Sequence, residues 1–166
     1  MKKRGSTIAF ILLLAALALF VWKSSAELPP IVASHFTSNG TANGFMPRRI
    51  YVAISLLMVV VMPLVVAFLP AAMIRRGGSN LNIPNREYWL APERREGTVD
   101  FIREHGLWFA AAVALFLGYV HWLVVGANAL HPPELSAAGM RWGMAVFFVG
   151  VGVWMMILFA RFRRPA

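Results

Sequence analysis

Four long apolar runs constrain this chain more than any other feature. A hydrocarbon core about 30 Å thick is crossed by roughly 20 helical residues, each rising about 1.5 Å. With 59% hydrophobic and 14% charged residues in 166 positions, the chain has more apolar surface than a water-soluble domain can bury. We therefore predict an all-α integral membrane protein, a single membrane domain over residues 1–166 with four transmembrane helices. The predicted helices are 7–22, 50–74, 107–130 and 142–160.

The basic residues predict the orientation. Twelve of the 16 Lys and Arg residues precede the first run, follow the fourth, or lie between the second and third. The positive-inside rule then places both termini and the loop 75–106 in the cytoplasm, with outer loops at 23–49 and 131–141. We expect a multi-pass protein of the bacterial cytoplasmic (inner) membrane. The net charge of +9 follows from this topology, and no nucleic acid partner is expected because the basic residues form no single patch.

The first run has an alternative interpretation as a cleavable signal peptide. A basic start, an apolar stretch and Ser24-Ser25-Ala26 would suit processing. Basic residues at both termini instead fit an even number of spans, which favours a permanent first helix.

The outer loop 23–49 is rich in Pro, Ser, Asn and Gly. Pro29-Pro30 favours extended backbone in the residues before each proline, and Asn39-Gly40 and Asn43-Gly44 predict turns. The sequence therefore predicts an ordered, turn-rich loop between the first two helices, compatible with a small hairpin.

The cytoplasmic loop contains a predicted helix start. Pro92 suits the first turn of a helix, with Glu93 and Glu96 near its positive end, and this helix is expected to continue into the third span. Tyr88-Trp89-Leu90 indicates an aromatic anchor at the membrane surface, either on a solvated connector or on a partner-docking segment.

Two polar residues lie within the third predicted span. His121 is ionisable at depth, which by default suggests function, and Asn128 shares its face nearer the outer boundary. They form a candidate intramembrane polar site, while a neutral histidine hydrogen-bonded across a helix interface is the favoured structural interpretation. The spans contain no Asp or Glu, so a carboxylate-based proton pathway is not expected.

Small residues predict where helices pack closely. One row of small residues recurs at every fourth position along the third span. A GxxxG pair lies at the outer end of the fourth span. These candidate packing positions are Gly106, Ala110, Ala114, Gly118, Gly139 and Gly143.

No catalytic motif is present, so we do not expect an enzyme. There is no phosphate-binding glycine loop, nucleophile elbow or HExxH helix, and the chain has no Cys. We expect no cofactor and no metal. A metal site would require the two outer loops to bring Glu27, His35, His131 and Glu134 together, and ordinary polar contacts are the favoured interpretation.

The segment Leu28-Pro29-Pro30-Ile31-Val32-Ala33-Ser34-His35-Phe36-Thr37-Ser38-Asn39-Gly40-Thr41-Ala42-Asn43-Gly44-Phe45 resembles a bacterial family. It is similar to the uncharacterised domain at the N terminus of SdpI-type immunity proteins, approximately L-P-x-x-I-P-x-H-F-N-x-x-G-x-P-D-G-[WFY]. Residues 80–90 also resemble the loop after the second helix of that family. The departures are Ala33 or Ser34 for the second proline, Thr37 for Asn, and Ala42-Asn43 for Pro-Asp.

The resemblance implies self-protection against a secreted toxin, and it marks a candidate recognition loop at His35, Phe36, Gly40, Gly44 and Phe45. The leading hypothesis is a non-enzymatic SdpI-related protein that senses or confers resistance to an extracytoplasmic factor. One alternative is an accessory or assembly subunit of a larger membrane complex. Another is a small ion or solute transporter. The lipid bilayer is the expected environment, a membrane-protein partner is an open alternative, and homo-oligomerisation is left open.

Overall fold

The computed structural model describes residues 2–75 and 84–163. Within these ranges the chain forms five α-helices, one 3-10 turn over Ser25–Glu27 and one two-stranded sheet. In order, the elements are α1 (Lys2–Ser24), β1 (Ile31–Phe36), β2 (Ala42–Pro47), α2 (Arg48–Arg75), α3 (Arg86–Trp89), α4 (Pro92–Asn128) and α5 (Ala137–Phe162).

Four of the helices, α1, α2, α4 and α5, are long and apolar enough to cross a membrane. This confirms the predicted four-helix membrane architecture at the level of helix number and character. α1, α2 and α5 extend beyond the predicted apolar runs at both ends, since flanking residues continue the same backbone hydrogen bonding. α4 begins 15 residues before the predicted run 107–130 but ends at Asn128, two residues before the predicted end. α4 has 37 residues, about 55 Å, and is longer than the hydrocarbon core.

The spanning helices alternate in direction. Ser24 at the end of α1 and Tyr51 near the start of α2 both contact His121 of α4. We call this the hairpin end, because β1 and β2 lie there. At the other end, Ser6 Oγ donates to Glu104 Oε1 at 3.0 Å and Trp89 Nε1 donates to the Phe162 carbonyl at 3.3 Å. We call this the basic end. The start of α1 and the end of α5 both lie there.

α4 forms the centre of the bundle. Its middle packs against α1 and α2 through a buried cluster at half height, whereas α5 packs mainly against α4. The cluster consists of Phe10, Leu14, Ala67, Leu107, Ala110 and Ala114. α4 is therefore the element that positions the others.

The loop between α1 and α2 is an antiparallel hairpin, so the fold has a small sheet beside its helices. Ile31 pairs with Pro47 and Phe36 with Ala42, with irregular register around His35. The predicted turn at Asn39-Gly40 is present, with the Gly40 N–H donating to the Thr37 carbonyl at 2.9 Å. The turn predicted at Asn43-Gly44 is wrong, because both residues lie within β2.

Candidate recognition site at the hairpin end

Asn128 fastens the hairpin to the bundle. Its Oδ1 accepts from the Ala33 N–H at 2.8 Å, and its Nδ2 donates to the Ala33 and Val124 carbonyls, both at 2.9 Å. The side-chain amide of Asn128 thus hydrogen-bonds the N–H and the carbonyl of Ala33 on the free edge of β1, where a third strand would otherwise pair. Asn128 and Ala33 are both buried, so unpaired backbone groups there would be costly.

The base of the hairpin is held by Arg48, the first residue of α2. Its Nη1 donates to the Leu28 carbonyl at 2.8 Å and to the Ala26 carbonyl at 3.3 Å, and its N–H donates to the Pro30 carbonyl at 2.9 Å. These bonds fix the segment that links α1 to β1.

The tip is held by the connection between α4 and α5. The Leu135 N–H donates to the Gly40 carbonyl at 2.9 Å, and Thr41 forms a β-bridge with Glu134. Gly40 has a φ of +98°, and a Cβ there would lie 2.2 Å from the Leu135 carbonyl oxygen. Only glycine suits this position. The hairpin is therefore fixed at its edge, base and tip.

The five candidate recognition residues now divide into three groups. Gly40 and Gly44 are structural, since a Cβ on Gly44 would lie 2.9 Å from the His35 Cβ. Phe36 is half-buried against the cluster around Leu123 and Val124. His35 and Phe45 are exposed and available for contact.

A groove of about 330 Å³ lies beside His35, between β1, α4 and the start of α5. Val120, Val124 and Met140 give it an apolar floor. His35 and Arg141 lie at its polar rim together with three hydroxyl side chains, those of Ser34, Thr37 and Ser38, and no carboxylate lines it. This lining suits an amphipathic molecule whose acceptor or anionic group meets His35 and Arg141 while its apolar part covers the floor.

His121 joins three helices beneath the hairpin. Its Nε2 lies 2.8 Å from Ser24 Oγ and its Nδ1 lies 3.0 Å from the Tyr51 hydroxyl, while Ser24 Oγ donates to the Phe20 carbonyl at 2.7 Å. All three bonds form together when Tyr51 donates to Nδ1 and Nε2 donates to Ser24. His121 is 3% exposed and lies against the rings of Phe20 and Tyr51.

The arrangement around His121 therefore has the features of an interhelical fastening, with both ring nitrogens bonded to protein groups. The sequence marked His121 and Asn128 as one candidate polar site. The structure gives them separate partners, Ser24 and Tyr51 for His121 and the backbone of Ala33 for Asn128.

The small residues lie where helices approach closely. A Cβ on Gly106 would lie 3.2 Å from the Ala67 carbonyl oxygen, and one on Gly118 would lie 2.9 Å from Leu17 Cδ2. Between them, Ala110 and Ala114 are fully buried. On α5, a Cβ on Gly143 would lie 2.3 Å from the Tyr119 ring, whose hydroxyl donates to the Gly139 carbonyl at 2.8 Å.

Sequence reasoning missed a contact between His105 and Trp154 at the basic end. His105 Nε2 donates to the Trp154 carbonyl at 3.1 Å, Trp154 Nε1 donates to the His105 carbonyl at 3.0 Å, and the rings stack at 4.5 Å. His105 fell in the predicted loop 75–106, although the helical pattern that starts at Pro92 could have placed it on α4.

The described part of the chain contains no cluster of side chains that could hold a metal ion. Within residues 2–75 and 84–163, no three His, Asp or Glu side chains come together in a way that suits a metal ion. Glu134 instead takes part in the backbone bridge to Thr41.

These features define a class: a mostly helical, multi-pass membrane protein with a hairpin fastened across one end of its bundle. Comparison of the chain with protein-family models, with curated proteins and with solved structures finds no match. The similarity of residues 28–45 to the SdpI-related pattern therefore stays a prediction from the residues.

Proposed function

We propose that the protein is a non-enzymatic, SdpI-related membrane protein whose hairpin end senses or confers resistance to an extracytoplasmic factor. The proposal includes an orientation with the hairpin end outside and the basic end in the cytoplasm, as the positive-inside rule favours.

The observation that carries the proposal is the fixed hairpin with an open groove beside it. Asn128, Arg48 and Leu135 hold the backbone, so His35 is presented in one position. Binding to such a preformed surface loses little conformational entropy. Arg141 adds a cation without a carboxylate partner among the described residues. The groove therefore favours a factor with an apolar body and an acceptor or anionic group.

The test uses the bacterium that carries the gene. A deletion strain is complemented with the wild type, His35→Ala, Arg141→Gln or His131→Ala, and its growth is measured in spent medium from dense cultures of its own and of competing bacteria. We expect His35→Ala and Arg141→Gln to lose protection by about tenfold each, the equivalent of about 1.4 kcal/mol of binding. His131 is also an exposed histidine but does not line the groove, so it is the matched control.

Each outcome bears on a different part of the proposal. A deletion strain that grows like the wild type in every medium would contradict the protective function. Full protection by His35→Ala and Arg141→Gln, at wild-type membrane levels, would remove the groove as the recognition site.

A second candidate function is an accessory subunit of a membrane complex, favoured by the exposed face of α5. In its most apolar 18-residue window no residue is buried within the protein. Val146, Phe148 and Val149 project from this helix and are 64–71% exposed.

Purification from the native membrane in mild detergent, followed by mass spectrometry, tests this second candidate. A photo-crosslinking residue in place of Val149 should capture a stoichiometric partner, whereas the same residue at the half-buried Val125 of α4 should capture less. Recovery of the protein alone would contradict the accessory function.

A further inference from the structure

The basic end contains a deep apolar groove that the proposed function does not use. It lies between α2, α4 and α5 and has a volume of about 570 Å³. Its walls include Leu69, Ile102, Phe109, Trp154, Leu158 and Phe162.

The depth of the groove matches one leaflet of a bilayer. Along α5 it runs from Phe162 inward to Trp154, eight residues or about 12 Å. One leaflet contributes half of a hydrocarbon core about 30 Å thick. A groove of this length accommodates most of an acyl chain that enters from the basic end.

The ring N–H donors of the histidine and the tryptophan in the groove wall are already hydrogen-bonded within the protein. His105 Nε2 and Trp154 Nε1 each donate to the other residue's carbonyl, at 3.1 and 3.0 Å. Since these donors are already bonded and the surrounding side chains are apolar, the groove suits hydrocarbon and disfavours a polar occupant.

A cation lies at the same end as the mouth of the groove. The Arg161 guanidinium stacks 4.2 Å above the Trp89 ring and 5.5 Å from the Phe101 ring centre. Within the described ranges it has no carboxylate partner. A stacked guanidinium keeps its N–H edge free for two parallel bonds to phosphate.

We propose that this groove binds one acyl chain of an anionic phospholipid whose phosphate pairs with Arg161. Basic pockets between membrane helices are suited to such headgroups, and each basic residue contributes about fivefold to anionic-lipid affinity. The bound acyl chain fills the space between α2 and α5 and contacts both helices as well as α4.

The test is native mass spectrometry of the delipidated full-length protein in mild detergent. Phosphatidylglycerol and phosphatidylcholine with the same acyl chains are added separately. We expect one phosphatidylglycerol per protein, retained at least about fivefold more than phosphatidylcholine. Arg161→Gln should abolish this preference, and Arg161→Lys, which keeps the charge but not the stacked planar group, should keep part of it. Leu158→Trp, which fills the groove, should reduce the retention of both lipids.

Two control variants match these changes. Arg49→Gln removes an exposed arginine at the hairpin end that does not line the groove beside His35. Val149→Trp adds a tryptophan on the exposed face of α5. Both variants should retain lipid like the wild type. Equal retention of the two lipids, an unchanged preference in Arg161→Gln, or a dimer in place of the lipid-bound monomer would overturn the proposal.

A second measurement covers the case in which Leu158→Trp fails to fold. Phosphatidylglycerol with a brominated acyl chain should quench the fluorescence of Trp154, so the wild type should lose more emission than Trp154→Phe. Equal quenching of the two proteins would also overturn the proposal.

Discussion

The helices α4 and α5 are alike in hydropathy but differ in their place in the fold. Their most apolar windows have mean hydropathies of 1.9 and 2.3. Within the protein, 39% of the α4 window is buried and none of the α5 window. Hydropathy therefore predicts that both helices enter the membrane, but it does not predict which one the others surround.

Polar and small residues account for the difference. α4 carries His121 and Asn128, each bonded to elements distant in sequence, and a row of small residues that admits α1 and α2. α5 is polar mainly at its ends and contacts α4 through Gly139, Gly143 and Trp154. Because lipid tails are as apolar as leucine, close packing and hydrogen bonds, rather than apolarity, determine the central helix.

The largest effect should come from Asn128→Leu. This change removes three hydrogen bonds and leaves the buried N–H and carbonyl of Ala33 unpaired, which should lower the free energy of unfolding by about 3 kcal/mol. Thermal unfolding in detergent measures the loss, and hydrogen exchange at the Ala33 amide should become faster. Asn43→Leu, at an exposed position of β2, is the control. Similar stability of both variants would show that Asn128 does not fasten the hairpin.

A smaller effect should come from His121→Leu, about 2 kcal/mol, because the Tyr51 hydroxyl loses its acceptor in an apolar surrounding. A double-mutant cycle with Tyr51→Phe separates this bond from the lost packing. We expect a coupling free energy of about 1 kcal/mol, within the range for hydrogen bonds between membrane helices. Additive effects of the two substitutions would contradict the bond.

The smallest effect should come from α5. Gly143→Leu places atoms where the Tyr119 ring lies, and we expect a loss of about 1–2 kcal/mol from overpacking. Gly150→Leu is the matched control, since nothing lies within 4 Å of a Cβ there. The free energies of unfolding of the two variants, measured from their unfolding curves in detergent, should differ by that amount. An equally large loss in Gly150→Leu would contradict the assignment of the Gly143→Leu effect to the Tyr119 contact.

The candidate site was partly predictable from sequence. His35, Phe36, Gly40, Gly44 and Phe45 were selected together, and the structure divides them between scaffold and exposed surface. The dipeptide Asn43-Gly44 favours a turn, but pairing with β1 places both residues in a strand, where the close approach of His35 leaves no room for a Cβ on Gly44. Local preference was overridden by strand pairing, which a single segment does not reveal.

The partners of the buried polar residues were not predictable. Ser24 and Tyr51 lie 97 and 70 residues from His121, and Ala33 lies 95 residues from Asn128. Ser24 resembles part of a processing site, and Tyr51 is the second residue of the second predicted helix. Neither carries a local signal for a distant histidine.

The sequence by itself determined the four spanning helices, because the transfer of apolar residues out of water is summed over one continuous stretch and needs no tertiary information. Only the tertiary structure decided that α4 is central, that an asparagine completes the edge of the hairpin, and that His35 and Arg141 border one groove. Those outcomes depend on which groups distant in sequence come into contact. A hydrogen bond or a packing contact between two segments is not encoded in either segment alone.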